Sequence, residues 1–516
     1  MRKRLASISL AVILVLGLGL IVAPPYTALA ATTLNVPGDY PTIQHAINAA
    51  NPGDTINVAA GTYTENIRWS SKDLVIQGAG EGVSFIRSAG GHGIAINTDY
   101  LTRAARLDGF TITGNSQSDG GGMYNRTASS PTISNCTFTG CSAWHLGAAM
   151  VNWTGDSAPL IINCTFTNNY CRKGGAMANY WGSSPTVINC TFYDNYAWEY
   201  GGAMYNMGSP EIINCTFSNN YAGYDGSGIF NHGGSPTFTN CIVSGNTRRG
   251  MFNDYSSSPT VTNCTFLNNA AGGVYNYRDV SLTMSNSILR GHMPVYTHPS
   301  SVDTVTYCDV QGGWPGTGNI DADPLLDGTF HLLEGSPCID TGTNTGAPAD
   351  DFEGEPRPWD GDGDGDRVVD MGADEFVHQI EEFSIFEMVI DFDEQPNLDE
   401  IDMKAIIHLH PDAYYDLSVD DVTVNIDGLD ITIPAGSFTK SGNNEKYHFE
   451  STKGVEPKVN MKLDFDNGEL DLKVDKVDAS IVDNFRDVLV TIYIGPMQAE
   501  EDIDMWIDSL SYEAVP

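Results

Sequence analysis

The sequence predicts an all-β protein whose main part is a right-handed parallel β-helix of about ten coils. The first observation is a repeat, because the motif Asn-Cys-Thr-Phe or a close variant recurs at steps of 21 to 28 residues. The second is that each period holds three short β-type runs separated by Asn, Gly or Ser-Pro corners. The third is alternation, since Cys136 and Phe138 share one face of a run. Such periods leave no room for helical crossovers, so stacked parallel coils fit best. The motif begins at Asn135, Asn163, Asn189, Asn214, Asn240, Asn263, Asn286 and Tyr307.

The first residues of the chain have the pattern of a secretory signal peptide. Arg2, Lys3 and Arg4 precede an apolar run that ends before two prolines, and Ala28-Leu29-Ala30 offers a cleavage site after Ala30. The run is short for a membrane span, although an uncleaved anchor remains the alternative. We therefore expect residues 1–30 to be removed and the mature chain, with no membrane span, to be secreted or held at the cell surface.

The N-terminal coil needs a cap, and the sequence supplies one. Tyr40 to Ala50 carries apolar residues at helical spacing and ends at Asn51-Pro52-Gly53. A capping helix would cover the open end of the coil stack, as terminal repeats of solenoids do. We predict that residues 31–316 form the β-helix together with this cap.

The cysteines follow the repeat. One reading is a disulfide framework, which the extracellular context would permit. The spacing favours a second reading, a row of free buried thiols, because stacked side chains run parallel and have poor geometry for a bridge. Cys141 and Cys171 lie off this row and could pair. The row comprises Cys136, Cys164, Cys190, Cys215, Cys241, Cys264 and Cys308.

Aromatic and basic residues recur at two corners of the predicted coils. Rings in line at steps of about 4.8 Å could stack on sugar faces, and Arg or Lys could bind acidic sugars. The alternative is that the rings pack only on neighbouring loops. The predicted ligand-binding residues are Trp144, Trp153, Arg172, Lys173, Tyr180, Trp181 and Trp198.

Residues 35–315 resemble known β-helix families. The stretch from Val36-Pro37-Gly38 to Ile67 resembles the entry coil of the pectin-lyase-like superfamily. Phe-x-x-Asn and Gly-Gly-Ala-aliphatic motifs, as at Phe166/Asn169 and Gly174 to Met177, resemble the repeats of polymorphic outer-membrane proteins. The resemblance implies the fold and, for the second family, adhesion and surface display. It implies no single activity, because the fold carries lyases, hydrolases, esterases and adhesins.

Residues 317–379 form an acidic module that resembles the terminal module of many secreted β-helices. Aspartates alternate with glycines after Pro358, and Gly365 is sixth from Asp360, which is typical of a Ca²⁺ loop. Clustered carboxylates repel one another unless a cation binds them. We therefore predict a structural Ca²⁺ site, with a solvated acidic turn as the alternative. Its ligands would be Asp360, Asp362, Asp364, Asp366 and Asp370.

Residues 380–516 alternate apolar and polar positions between turn signals such as Asp427-Gly428 and Asn467-Gly468. This pattern predicts a separate acidic β-sandwich. Without a catalytic signature, its expected role is binding or attachment.

The composition excludes some partners. The 516 residues include 26 Lys and Arg against 65 Asp and Glu, a formal net charge of −39. Nucleic acid and anionic lipid need a basic face, so we expect neither as a partner. We expect a protein that binds a polysaccharide or a cell-surface glycan or protein, in adhesion or envelope structure, rather than an enzyme. The alternatives are a polysaccharide lyase or glycoside hydrolase, and a structural spacer.

Overall fold

The main body of the protein is a right-handed parallel β-helix, as the sequence predicts. The computed structural model describes residues 31–69, 71–96, 100–116, 118–126, 128–155, 157–361 and 366–377, together with parts of 380–514. The predicted signal peptide of residues 1–30 lies outside these ranges. The coils build four parallel sheets with 12, 11, 10 and 5 strands.

Sheets 1 and 2 take the first two runs of each coil. Sheet 1 contains the strands Thr33–Val36, Thr55–Val58, Val75–Gly78, Arg106–Asp108, Thr132–Ser134, Leu160–Ile162, Thr186–Ile188, Glu211–Ile213, Thr237–Thr239, Thr260–Thr262, Ser281–Ser285 and Val302–Thr306. Sheet 2 contains Gly61–Thr64, Ser84–Arg87, Thr111–Thr113, Thr137–Thr139, Thr165–Thr167, Thr191–Tyr193, Thr216–Ser218, Ile242–Ser244, Thr265–Leu267, Ile288–Arg290 and Asp309–Val310.

Sheet 3 takes the last run of each coil, and sheet 4 lies between sheets 2 and 3. Sheet 3 contains the strands Ile67–Arg68, Ile94–Ile96, Met123–Asn125, Met150–Asn152, Met177–Asn179, Met204–Asn206, Ile229–His232, Arg249–Asp254, Gly272–Asn276 and Val295–Thr297. Sheet 4 contains Asn115–Ser116, Ser142–Ala143, Tyr170–Lys173, Tyr196–Tyr200 and Tyr221–Ala222. The sequence predicted three runs per coil and missed sheet 4, whose strands are too short to alternate visibly.

Asparagine makes the corner between sheets 1 and 2. The corner residue has a positive φ, which asparagine tolerates better than most side chains. This requirement explains why Asn opens the repeat motif. The corner residues are Asn135, Asn163, Asn189, Asn214, Asn240, Asn263, Asn286 and Tyr307, with φ between 48° and 52°.

The interior is filled by rows of identical side chains. Phe138, Phe166, Phe192 and Phe217 stack with ring centroids 4.7 to 5.1 Å apart. All ten cysteines are buried free thiols, which confirms the free-thiol reading of the row. The suggested pairing of Cys141 with Cys171 is wrong, because each thiol approaches carbonyl oxygens instead. Burial raises the pKa of both thiols to about 12.

Two buried asparagine ladders brace the coils. One starts at Asn169 and ends at Asn269, and its amides also donate to phenylalanine carbonyls of the preceding coil. The other lies at the end of sheet 3, where each Nδ2 donates to the Oδ1 of the asparagine on the next coil, except that the last Nδ2, of Asn276, donates to Asp303 Oδ2. Its members are Asn125, Asn152, Asn179, Asn206, Asn231, Asn253 and Asn276.

The predicted capping helix is present as Ile43–Ala49, with Thr42 as its N-cap. Thr42 Oγ1 accepts a hydrogen bond from the His45 N–H, 3.2 Å away. Ile43, Ala46 and Ile47 are buried against the first coil, so the helix closes the hydrophobic core.

The acidic module packs on the late coils of the β-helix. Asn240 and Asn263 at the corners of sheets 1 and 2 donate to the carbonyls of Asp350 and Asp370. Arg357 is buried and donates to the Ala373 carbonyl over 2.6 Å, while Glu375 is its ion-pair partner.

The prediction of a second, antiparallel β region is confirmed. An eight-stranded sheet contains Ile380–Asp391, Asp399–Leu409, Thr439–Lys440, Lys446–Glu450, Lys458–Asp464, Glu469–Val477, Met505–Asp508 and Ser511–Ala514. A four-stranded sheet contains Val422–Ile426, Leu429–Ile433, Val488–Ile494 and Met497–Ile503. No helix among the described residues has both the length and the apolar character that crossing a bilayer requires.

Candidate functional site: an aromatic face and its groove

The outer face of sheet 3 carries a continuous row of rings. In each strand the methionine or isoleucine and the asparagine point inward, so the residue between them points outward. Parallel in-register pairing then brings these residues together from coil to coil. The outward rings are Tyr205, Phe230, Phe252, Tyr275 and Tyr296, with neighbouring centroids 4.2 to 5.5 Å apart. The first three are buried under neighbouring side chains, and the last two are half-buried.

A second row begins directly after the sheet 3 strands and contains three predicted residues. Trp153 and Tyr180 are half-buried, with ring centroids 5.1 Å apart. Trp181 is 65% exposed and meets the edge of Tyr180 at 5.7 Å. Farther along, His232, Asp254 and Tyr277 occupy the same row. We call both rows together the aromatic face.

Trp144 and Trp198 lie on sheet 4 and not on the aromatic face. Trp144 is 53% exposed, and its ring meets Trp198 edge-on at 5.7 Å. A coil that carries Arg172 lies between these two residues, so their rings meet at an edge and do not form an in-line pair. The in-line stack on this sheet is Tyr170, Tyr196 and Tyr221, with centroids 4.9 and 4.5 Å apart, which the sequence analysis missed.

The two predicted cations are held by one carboxylate. Arg172 Nε lies 2.8 Å from Glu199 Oε1, and Lys173 Nζ lies 3.8 Å from Glu199 Oε2. Lys173 Nζ also lies 5.3 Å from the centroid of the Tyr205 ring. Arg172 and Lys173 therefore join sheet 4 to the aromatic face, and both are already paired.

A groove of about 290 Å³ opens in the middle of the aromatic face. Its floor is aromatic and its walls carry polar groups, which is the usual composition of a ligand site. Asp254 is buried and lies 3.7 Å from Arg278, whose guanidinium covers the Tyr277 ring at 4.6 Å. The groove is lined by Lys173, Tyr200, Tyr205, Phe230, His232, Phe252, Asp254, Tyr255, Tyr277 and Arg278.

His232 is one of the titratable groups that line the groove, and burial shifts the pKa of its imidazole. Burial lowers its pKa, and the charge of Asp254 opposes that shift. The imidazole is therefore neutral near pH 7 and can accept a proton or a hydrogen bond. His232 and Asp254 are direct register partners, and the His232 and Tyr255 ring centroids lie 4.0 Å apart. The sequence showed both residues in the repeat row but could not show the groove that joins them.

The predicted Ca²⁺ ligands occupy different surroundings. Asp362 and Asp364 lie outside the described residues. Asp360 is buried and Asp366 is exposed. The Asp370 oxygens accept the Asp340 and Phe376 N–H groups at 2.7 and 2.6 Å. Calcium binding at this loop stays a prediction.

The comparison with family models agrees with the fold. A family model described as the right-handed β-helix region matches residues 74–223 and 149–309. No curated protein matches the chain. Tailspike protein 2 from Escherichia coli O157:H7 bacteriophage CAB120 is a similar solved structure, with 9% identity, 94% of this chain and 71% of that chain covered, and a TM-score of 0.32. Tailspike protein gp49 from Acinetobacter baumannii bacteriophage Fri1, described as a capsular polysaccharide depolymerase, has 9% identity, 94% and 81% coverage, and a TM-score of 0.28.

Proposed function

We propose that the protein binds a polysaccharide along its aromatic face. The observation that carries this proposal is the alignment of rings over successive coils, with half-exposed pairs at Trp153–Tyr180 and Tyr275–Tyr296 on either side of buried rings and a groove with polar walls. A row of rings with a constant step suits a linear polymer, because successive sugars can each find an apolar surface. Lys173, His232 and Arg278 supply polar contacts to hydroxyl or carboxylate groups.

The location and role follow from this proposal and from the predicted signal peptide. A secreted or surface-held rod that binds a glycan would serve adhesion or envelope structure. The antiparallel region beyond Ile380 would then attach the rod or bind a second partner. Fractionation of the host cells tests the location, because finding the protein in the cytoplasm would contradict a role in adhesion or envelope structure.

Removing rings from the aromatic face tests the binding proposal. Each ring contributes about 0.5 to 1.5 kcal/mol in an aromatic contact, so Trp153→Ala with Tyr180→Ala should weaken binding by roughly 5- to 100-fold. Tyr100→Ala is the matched control, because Tyr100 is 74% exposed and lies in the segment before the sheet 1 strand Arg106–Asp108. Equal affinity in the double variant and the control would reject the proposal.

Cleavage of the bound polysaccharide is the second candidate function. It is favoured by the groove, where the neutral imidazole of His232 is close to the carboxylate of Asp254 and the phenol of Tyr255. Such groups can act as general bases and acids. Release of reducing ends from one polymer, lost in His232→Gln and Asp254→Asn, would establish this function. Retention of the polymer without release of reducing ends would support binding and contradict cleavage.

A further inference from the structure

A separate cavity in the acidic module brings together ligand-type side chains from three chain segments. Its volume is about 240 Å³, and it is lined by His331, Glu353, Glu355 and Asp374. His331 lies in a tight turn, Glu353 lies in a second turn, and Asp374 follows the segment that docks on the β-helix at Thr265. Hydrogen bonds already link these segments, because the Leu332 N–H donates to Asp374 Oδ2 at 2.7 Å, the Phe352 N–H to the Ala373 carbonyl at 3.0 Å and the Glu375 N–H to Asp351 Oδ2 at 3.1 Å. The chain itself therefore holds the ligand-type side chains around the cavity.

The turn that carries His331 fixes the orientation of its ring. Asp327 Oδ1 accepts the backbone N–H groups of Thr329 and His331 at 2.7 and 2.9 Å. Asp327 Oδ2 lies 3.2 Å from His331 Nδ1. A carboxylate on one ring nitrogen leaves the other nitrogen as a lone-pair donor, which is the arrangement seen behind metal-ligating histidines.

The remaining ring nitrogen points at the carboxylates. His331 Nε2 lies 3.3 Å from Glu353 Oε1. One ligand atom from each of His331, Glu353 and Asp374 lies within 4.8 Å of the others. Two ligands at ~2.0 to 2.1 Å from a tetrahedral Zn²⁺ are about 3.3 Å apart, which matches the separation of His331 Nε2 and Glu353 Oε1. Two ligands at ~2.1 Å from one ion are at most about 4.2 Å apart, so the set that lies within 4.8 Å would surround a small cation after a slight closure of its side chains.

Asp374 provides the independent support. It is only 7% exposed, and its Oδ2 accepts the Leu332 N–H at 2.7 Å. Among the described residues its other oxygen accepts no hydrogen bond, although the residue lines the cavity. A carboxylate buried in this way is costly unless a cation or a proton compensates its charge. Glu355 adds a third carboxylate to Glu353 and Asp374 in the same cavity.

We propose that this cavity is a binding site for a divalent transition metal ion of the Zn²⁺ type. His331 Nε2, Glu353 and Asp374 are its ligands, and Glu355 or water completes the coordination. An imidazole ligand favours Zn²⁺ over Ca²⁺, which prefers an all-oxygen site. The ion joins the three segments of the acidic module where it packs on the late coils. This site is distinct from the predicted Ca²⁺ loop at residues 360–370.

Titration calorimetry on the metal-free protein tests the site, with Zn²⁺ and Ca²⁺ as probes. We expect one Zn²⁺ per chain, loss of that binding in His331→Gln and Glu353→Gln, and 10- to 100-fold weaker binding in the positioning variant Asp327→Asn. His298→Gln is the control, because His298 is a partly exposed histidine outside the acidic module whose Nδ1 lies 3.0 Å from Ser300 Oγ. Zn²⁺ binding that survives His331→Gln would overturn the proposal.

A spectroscopic probe keeps the test independent of folding in the variants. Co²⁺ bound to the unaltered protein should give the visible absorption of a site with fewer than six ligands, and Zn²⁺ should displace it. Absence of this absorption would show that protonated His331 merely pairs with Asp327 and Glu353, and would overturn the proposal. Ca²⁺ binding that is insensitive to His331→Gln would belong to the loop at residues 360–370.

Discussion

Replacing Asn206 should show how much the asparagine ladder of sheet 3 stabilises the fold that displays the aromatic face. Asn206 is fully buried, accepts from Asn179 Nδ2 at 2.9 Å and donates to Asn231 Oδ1 at 2.9 Å. Asn206→Ala removes both bonds and leaves a buried donor on Asn179 and a buried acceptor on Asn231. An unsatisfied buried group costs about 1 to 3 kcal/mol, so the free energy of unfolding should fall by roughly 2 to 6 kcal/mol.

Burial is the variable that decides this cost, and the chain contains a matched control. Asn57 Nδ2 donates to Asn35 Oδ1 at 3.2 Å between neighbouring strands of sheet 1, but both residues are exposed. Water can replace that bond, so Asn57→Ala should change stability by less than about 0.5 kcal/mol. The assay is urea unfolding followed by far-UV circular dichroism. Equal losses in the two variants, or a loss below about 1 kcal/mol for Asn206→Ala, would refute the reasoning.

Four further predictions concern the site and the core. Glu199→Gln should release Arg172 and Lys173 and raise affinity for an acidic polysaccharide over a neutral one by roughly two- to fivefold; an unchanged preference on a polysaccharide array would contradict the pairing. In the unaltered protein the negative charge of Asp254 raises the pKa of His232. Asp254→Asn removes that charge and should lower this pKa further, which NMR titration of the imidazole would show. The folded state favours neutral His232, so this preference contributes fully to stability above about pH 6.5 and is lost as the pH falls through the pKa of His232 in the folded state. His232→Gln should therefore lose less stability than the unaltered protein when the pH falls from about 6.5 through that pKa. All ten thiols should resist a thiol reagent at pH 8 in the native state and react in denaturant, and fewer than ten in denaturant would indicate a disulfide.

The repeat made most of the β-helix predictable. A motif with Asn at a positive-φ corner, followed by Cys and Phe at alternate positions, determines both the turn and the inward face, so the sequence alone predicted the stacked coils and the thiol row. The Ile43–Ala49 helix was predictable for the same kind of reason, because its apolar spacing is local. Sheet 4 was missed because strands such as Ser142–Ala143 carry too little pattern to identify.

The site was only partly predictable, because it depends on contacts between coils. Trp153, Tyr180 and Trp181 could be placed near each other from their positions in the repeat. The pairing of both Arg172 and Lys173 with Glu199 could not be predicted, because it depends on the orientation of a side chain from the next coil. The cavity at His331 joins segments that share no repeat, so no sequence period could reveal it.

The most direct test of the central claim is the affinity of the purified protein for a panel of extracellular polysaccharides. Three proteins are compared, namely the unaltered chain, the double variant Trp153→Ala with Tyr180→Ala, and the control Tyr100→Ala. We predict that at least one polymer is retained by the unaltered protein and by Tyr100→Ala, and that retention falls at least fivefold in the double variant. Retention of no polymer, or equal retention by all three proteins, would contradict a glycan-binding aromatic face.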